Sequence, residues 1–153
     1  MEVKIITDVN TKSNICKVVL NDLHEWFGIE ESKKQYIEMV KKYVFFAMYE
    51  NETPVAFYSI KEENINTLEM VVLGVLKKYQ HQGIGTKLQK SVEEYAKKNG
   101  YINIIVLTLA SKHKDVAYAA TRKFYYKQGF EDIYQSDKIW DEFNPCQIML
   151  KRL

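Results

Sequence analysis

Cysteine, proline and glycine are scarce in this 153-residue chain: two, two and six residues. Cys16 and Cys146 lie far apart without metal-ligand spacing, which argues against a disulfide framework or a metal module and for a reduced, cytoplasmic setting. No apolar run reaches the length of a membrane span, and the opening MEVKIITDV does not read as a signal peptide, so no membrane partner is expected. An excess of one charge is also lacking. Lys and Arg number 22 against 20 Asp and Glu, a formal net charge of +2 that is too small to imply nucleic acid. Lysine pairs such as Lys41–Lys42 and Lys97–Lys98 read as solvated helix faces. What is present is globular: 46% hydrophobic, 27% charged and 13% aromatic residues, enough for one domain spanning 1–153 around a single core.

Periodicity places the elements. EVKIIT reads as a first strand. TKSNICKVVLNDLHEWF reads as a helix with Ile15, Val18, Val19, Leu23 and Trp26 on one side, Ser13 as its cap and Gly28 as its break. EESKKQYIEMVKKY is a second helix with Tyr36, Met39 and Val40 inward. VFFAMYE and VAFYSIKEE are strands joined by the turn NETP, and TLEMVVLGVL is a third, well-buried strand, which together make an antiparallel meander. Ile84, Leu88, Val92 and Tyr95 form the apolar stripe of a helix that stops at Gly100. YINIIVLTLA then returns as a strand parallel to the central one. A further helix runs from about Asp115 to Lys127 and ends at Gly129, and FEDIYQSD and CQIMLKRL close a mixed α/β sheet.

Between the central strand and its helix stands KKYQHQGIGTKLQ, with glycines at 83 and 85. A helix start offers backbone N–H groups without internal partners and a partial positive charge, so a glycine-rich approach to it suits a phosphate. Two nucleotide folds do not fit. The dinucleotide fingerprint needs a third glycine where Leu88 stands and an acidic residue about 20 positions on, where NIIVLTLA has none. The Walker pattern fails because Thr86 and Lys87 follow Gly85 in the wrong order.

The element order and three motifs resemble the GCN5-related N-acetyltransferase (GNAT) superfamily over nearly the whole chain. Gln80, Gly83 and Gly85 match its pyrophosphate loop, LGVLKKYQ the end of its splayed central strand, and KFYYKQGF its late helix-to-strand motif. The resemblance implies a mixed, largely antiparallel sheet flanked by helices with a splayed central strand pair, and acetyl-CoA as co-substrate. The N–H groups from His81 through Gln82, Gly83, Ile84 and Gly85 to Thr86 would wrap its pyrophosphate. Backbone groups of Leu73, Gly74 and Val75 would hold the pantetheine arm. Two positions depart from the family: Tyr118 stands where an asparagine is frequent, and Thr121 where alanine is usual.

Amide formation needs a neutral amine and a proton for the departing thiolate. An alkylammonium has a pKa near ~10.4, so a base must take its proton, directly or through water. By alternation Glu69 shares a face with Val71, Leu73 and Val75 and resembles the family's frequent base position. Tyr125 matches the family tyrosine, a phenol placed to give a proton to sulfur. Two segments are expected to select the acceptor. EWFGIEESKKQY includes Trp26 and Phe27, read first as packing residues, and SDKIWDEFNP has Asp137, Asp141 and Glu142 beside Trp140, a set suited to a cationic amine.

The activity implied is N-acetylation of a small-molecule amine, aminoglycoside-like or polyamine, by a protein that leaves room for a homodimer. A protein lysine or N-terminal amine is the variant within that class. A non-catalytic acyl-CoA-binding module is the reading from another class.

Overall fold

A computed structural model describes residues 1–153. In chain order its elements are β1 (Glu2–Ile5), α1 (Val9–Asp22), α2 (Glu30–Met39), β2 (Val44–Glu50), β3 (Thr53–Asn64), β4 (Thr67–Val75), α3 (Ile84–Lys98), β5 (Asn103–Leu109), α4 (Val116–Lys127), β6 (Glu131–Asp141) and β7 (Asn144–Arg152). The seven strands form one sheet in the order β1-β2-β3-β4-β5-β7-β6. Every neighbouring pair is antiparallel except β4 and β5. That parallel pair needs the α3 crossover between its strands, as the sequence pattern implies.

One apolar cluster lies on each face. On one, Ile15, Val19 and Leu20 of α1 pack with Phe45, Phe57 and Val72; on the other, Ile84, Leu88, Val92 and Ala96 of α3 pack with Tyr58, Ile104 and Val106. The four α3 residues recur every fourth position and are buried to 2% exposure or less. Each large aliphatic side chain among them contributes roughly 1.5–3 kcal/mol by leaving water, an upper figure because unfolded chains already shield part of it. A buried polar chain fixes the same helix to the sheet: Tyr58 donates to Gln89 at 2.8 Å, Gln89 donates to Glu93 at 2.9 Å, and Lys151 of β7 closes on Glu93 at 2.5 Å.

Two local expectations are corrected. Asp8, not Ser13, caps α1, accepting from the Thr11 amide at 2.8 Å; Ser13 lies inside the helix and bonds back to the Asn10 carbonyl. The helix ends at Asp22, well short of Gly28, and Val18 faces solvent at 57% exposure.

The sheet opens at its centre. β4 and β5 pair only from Thr67–Asn103 to Met70–Val106 and separate beyond. Just there β4 carries an extra residue: Ser59 of β3 opposes Val72 while the next residue, Ile60, opposes Met70, so Val71 is bulged. The bulge bends β4 away from β5 and reverses its alternation. Leu68 and Met70 face α3, Val72 faces α1, and Leu73 and Val75 face α3 again.

Candidate active site

The gap left by the splayed strands widens into a cleft of about 1040 Å³. It runs from the loop at Gln80–Thr86, along Met70–Val75 of β4 and under α4, to Leu107 and Thr108 of β5 and Trp140 of β6. Its floor exists because the backbone edge of β4 that faces β5 has lost its partner strand after Met70.

The glycine loop has the geometry of an anion cradle. His81 (φ 59°) and Gly83 (φ 78°) both adopt left-handed backbone, and such turns point successive N–H groups into one concavity. Gly83 is the N-cap of α3 and no side chain caps the helix. The first intrahelical bond that returns to the cap comes from Lys87 to the Gly83 carbonyl, so the amides of Ile84, Gly85 and Thr86 are first-turn donors open to a ligand.

The glycines differ in why they are needed. At Gly83 an added Cβ would meet nothing within 4 Å, so only the positive φ requires glycine. Gly85 is held by packing, since a Cβ would lie 3.0 Å from the Phe124 ring of α4. Gly74, expected to run beside the pantetheine arm, lies three residues past the bulge, and a Cβ there would press on Val19 of α1 at 2.7 Å. It does line the cleft together with Leu73 and Val75.

Gln80 and Gln82 serve the loop itself. Gln80 donates to the Val75 carbonyl at 3.1 Å, bracing the loop on the end of β4, and Gln82 donates to the Lys78 carbonyl at 3.0 Å. Gln82 does not line the cleft, whereas His81, Gly83, Ile84, Gly85 and Thr86 do. The hydroxyl of Thr86 accepts from Gln128 at 2.8 Å, which ties the start of α3 to the end of α4. Two cations at the cleft escaped the sequence reading: Lys123 and Lys127 of α4, whose four-residue spacing on one helix side was the available signal.

Tyr125 stands in the cleft wall, 4% exposed, its ring packed edge-on against Phe130 with centroids 5.7 Å apart. Burial, then the neighbouring phenols of Tyr118 and Tyr36, push its pKa far above the ordinary value. It therefore remains a protonated donor across the physiological range. Tyr126, one position along, is 46% exposed and donates to Asp132 at 2.8 Å.

Glu69 lies elsewhere than alternation implied. It is on the α2 side with Val71, opposite Leu73 and Val75, because the bulge at Val71 intervenes. It does not line the cleft. Its carboxylate meets Lys61 of β3, directly across the ladder, at 3.1 Å. Burial raises its pKa, and Lys61 works against that rise. Burial first, and then the nearby Glu69 charge, raise the pKa of Tyr36, a phenol that does line the cleft.

The two departures from the family pattern meet one residue. Trp26 donates through Nε1 to the Thr121 hydroxyl at 2.9 Å and the Ala117 carbonyl at 3.0 Å, and the Tyr118 hydroxyl donates to the Trp26 carbonyl at 3.0 Å. Burial pushes the Tyr118 phenol to about 12, so it too stays a donor. The three bonds latch the α1–α2 connection onto α4. Trp26 and Phe27, expected only to pack, are cleft residues; Trp26, Gln80 and His81 also border a smaller polar recess with Glu25, Lys77 and Asp115. Trp26→Phe keeps an aromatic ring but loses the pyrrole half of the indole together with its donor, so the loss of the hydrogen bonds sets a lower bound on the effect. It should lower stability to urea by at least about 0.5–1.5 kcal/mol, the usual net worth of a hydrogen bond; no change in the unfolding midpoint would show that the latch carries no load.

The segment SDKIWDEFNP is no free loop, because β6 continues through Asp141 and turns tightly into β7. Asp141 accepts from the amides of Phe143 and Asn144 at 2.9 and 2.8 Å. Of the four residues singled out there, Trp140 alone reaches the cleft.

Comparison with known proteins agrees with this geometry. A profile of the acetyltransferase (GNAT) family matches residues 16–130. An uncharacterised N-acetyltransferase of Chlorobaculum tepidum is 26% identical over 141 residues, covering 88% of this chain and 80% of that one. An acetyltransferase structure of the GNAT family from Desulfovibrio desulfuricans superposes with a TM-score of 0.86 at 16% identity, over 99% of this chain and 98% of that chain. An aminoglycoside 6'-N-acetyltransferase complexed with coenzyme A gives 0.77 at 18% identity, over 99% and 97%. With its splayed β4–β5 pair, its uncapped glycine loop and a family match across most of its length, the chain belongs to the acetyltransferase (GNAT) family.

Proposed function

We propose that the protein transfers the acetyl group of acetyl-CoA to the primary amine of a small molecule. The observation that carries this is one continuous cleft joining an uncapped helix N-terminus to a buried, protonated tyrosine. The pyrophosphate would sit on the amides of Gly83 to Thr86, with Lys123 and Lys127 beside it as counter-charges. The pantetheine would lie along the open edge of Leu73–Val75, where β4 has lost its β5 partner. The thioester would end near Tyr125.

The amine attacks the thioester carbonyl, one N–H proton leaves, and the carbon–sulfur bond breaks. Tyr125 donates to the departing sulfur. Since its phenol holds its proton more tightly than a thiol of pKa near ~8.5, it acts first as a hydrogen-bond donor that stabilises the developing thiolate. Glu69 is the proposed sink for the amine proton, reached through Tyr36 or water because it does not line the cleft. Its upward-shifted pKa brings it closer to neutrality, where a base exchanges protons best. The ionised form is the working one, so turnover should rise with pH as Glu69 and then the free amine lose their protons. Glu69→Gln should lower turnover most at neutral pH and regain part of it at alkaline pH; a pH–rate profile identical to that of the unsubstituted enzyme would exclude the relay.

The cationic acceptors expected from the sequence, aminoglycoside-like or polyamine, lose their main support, since Asp137, Asp141 and Glu142 do not line the cleft. A protein amine is the variant within the same chemistry. A module that only binds acyl-CoA would need no protonated tyrosine at the end of the cleft. Incubation with acetyl-CoA and an amine panel, followed by free-thiol release, separates enzyme from binding module.

A further inference from the structure

Resting on the reading of this cleft as an acetyl-transfer site, we propose that the acceptor is a monoamine on an aromatic, otherwise uncharged body, and that the Thr108 hydroxyl anchors it. No Asp or Glu lines the cleft, whereas two lysines, Lys123 and Lys127, do. A second or third ammonium would leave water with no carboxylate to receive it, and an unpaired charge in such surroundings is strongly disfavoured.

The carboxylates nearby are already engaged. Glu69 is paired with Lys61 outside the cleft, Asp141 holds the β6–β7 turn, and Glu25 pairs with Lys77 in the recess beyond the latch. The walls at the acceptor end are instead the rings of Trp26, Phe27, Tyr36 and Trp140. Flat aromatic bodies gain most from such walls by offset and edge-on packing, and the single ammonium of the incoming monoamine, before it loses its proton, gains from ring faces without a carboxylate.

Thr108 supplies the polar point. It belongs to β5 just past the last residue paired with β4, lines the cleft, and is 3% exposed. Its Oγ1 is buried with no hydrogen-bond partner in the protein. A buried hydroxyl left unpaired is a standing penalty that a hydrogen bond from a bound ligand removes. The unbroken register of β5 turns Thr108 to the Tyr125 side of the sheet with Ile104 and Val106, so the amine nitrogen, or a polar atom next to it, would reach this hydroxyl through the gap between β4 and β5 while the aromatic body rests on the rings across the sheet.

The test follows thiol release from acetyl-CoA with 2-phenylethylamine, tryptamine, spermidine and kanamycin as acceptors. The expected result is a kcat/KM for at least one aromatic monoamine about tenfold or more above either polycation. A polycation as the better acceptor overturns the inference. So does an acetyl-CoA-induced thermal shift with neither aromatic amine acetylated. Absence of any thermal shift with acetyl-CoA instead sinks the acetyltransferase reading itself, and the inference with it. Thr108→Val should raise KM for the preferred aromatic amine about tenfold, while acetyl-CoA affinity stays unchanged. The Tm of the unliganded protein should hold or rise, because the substitution deletes an unpaired polar group. Thr108→Ser should restore KM. An unchanged KM in Thr108→Val, with a folded protein by Tm, overturns the anchor.

Discussion

Tyr125→Phe is expected to lower turnover by about 10²- to 10⁴-fold, the range a positioned proton donor contributes, with acetyl-CoA affinity nearly unchanged. The ring is packed on Phe124 and Phe130 and stays so in the variant; only the hydroxyl at the cleft wall is lost. Stability should hold for the same reason. Tyr126→Phe is the control, because that residue also borders the cleft but its hydroxyl is engaged by Asp132 and its side chain is 46% exposed. The assignment fails if Tyr126→Phe is the crippled variant. It fails equally if Tyr125→Phe keeps full activity under conditions where chemistry, not product release, sets the rate.

The second large effect is at Gly83. A ligand at 100 times its Kd stabilises the native state by about 2.7 kcal/mol, which for a chain of this size raises Tm by roughly 5–10 °C. Gly83→Val should abolish that shift. The left-handed φ of 78° is closed to a β-branched residue, and a loop that relaxes to another conformation no longer aims its amides at one point. Because a Cβ there meets no neighbour, the loss is conformational and the core is untouched. Gly100→Val imposes the same kind of strain at φ 84° beyond the far end of α3, away from the cleft, and should retain the acetyl-CoA shift. Equal loss in both variants would show a general instability and not a cofactor contact.

Where sequence reading succeeded and where it did not has a physical pattern. The order of elements along the chain, the parallel crossover and the place of the glycine loop were legible because each is written in local periodicity or in a short motif; a motif of the same kind pointed to Tyr125, which lines the cleft and whose role is the one proposed above. Glu69 was misplaced because alternation assumes an unbroken ladder, and the bulge at Val71 leaves no local mark among TLEMVVLGV. Gly74 and Gly85 owe their glycine to Val19 and Phe124, contacts that only tertiary packing creates. The Trp26 latch joins positions more than 90 residues apart, so Tyr118 and Thr121 looked like mere departures from a pattern until their shared partner was in view. Lys138 to Asp141 fell beyond the strand read from FEDIYQSD, yet they extend that exposed strand, and of them Trp140 meets the cleft.

The most direct test of acetyl transfer at this cleft is a matched count of products: free thiol released from acetyl-CoA against acetylated amine formed, with and without the protein. The account predicts one acetylated amine for each thiol, strict dependence on the amine, and loss of both products together in Tyr125→Phe. Acetyl-CoA that neither stabilises the protein nor yields amine-dependent thiol across primary amines of every charge class would contradict it.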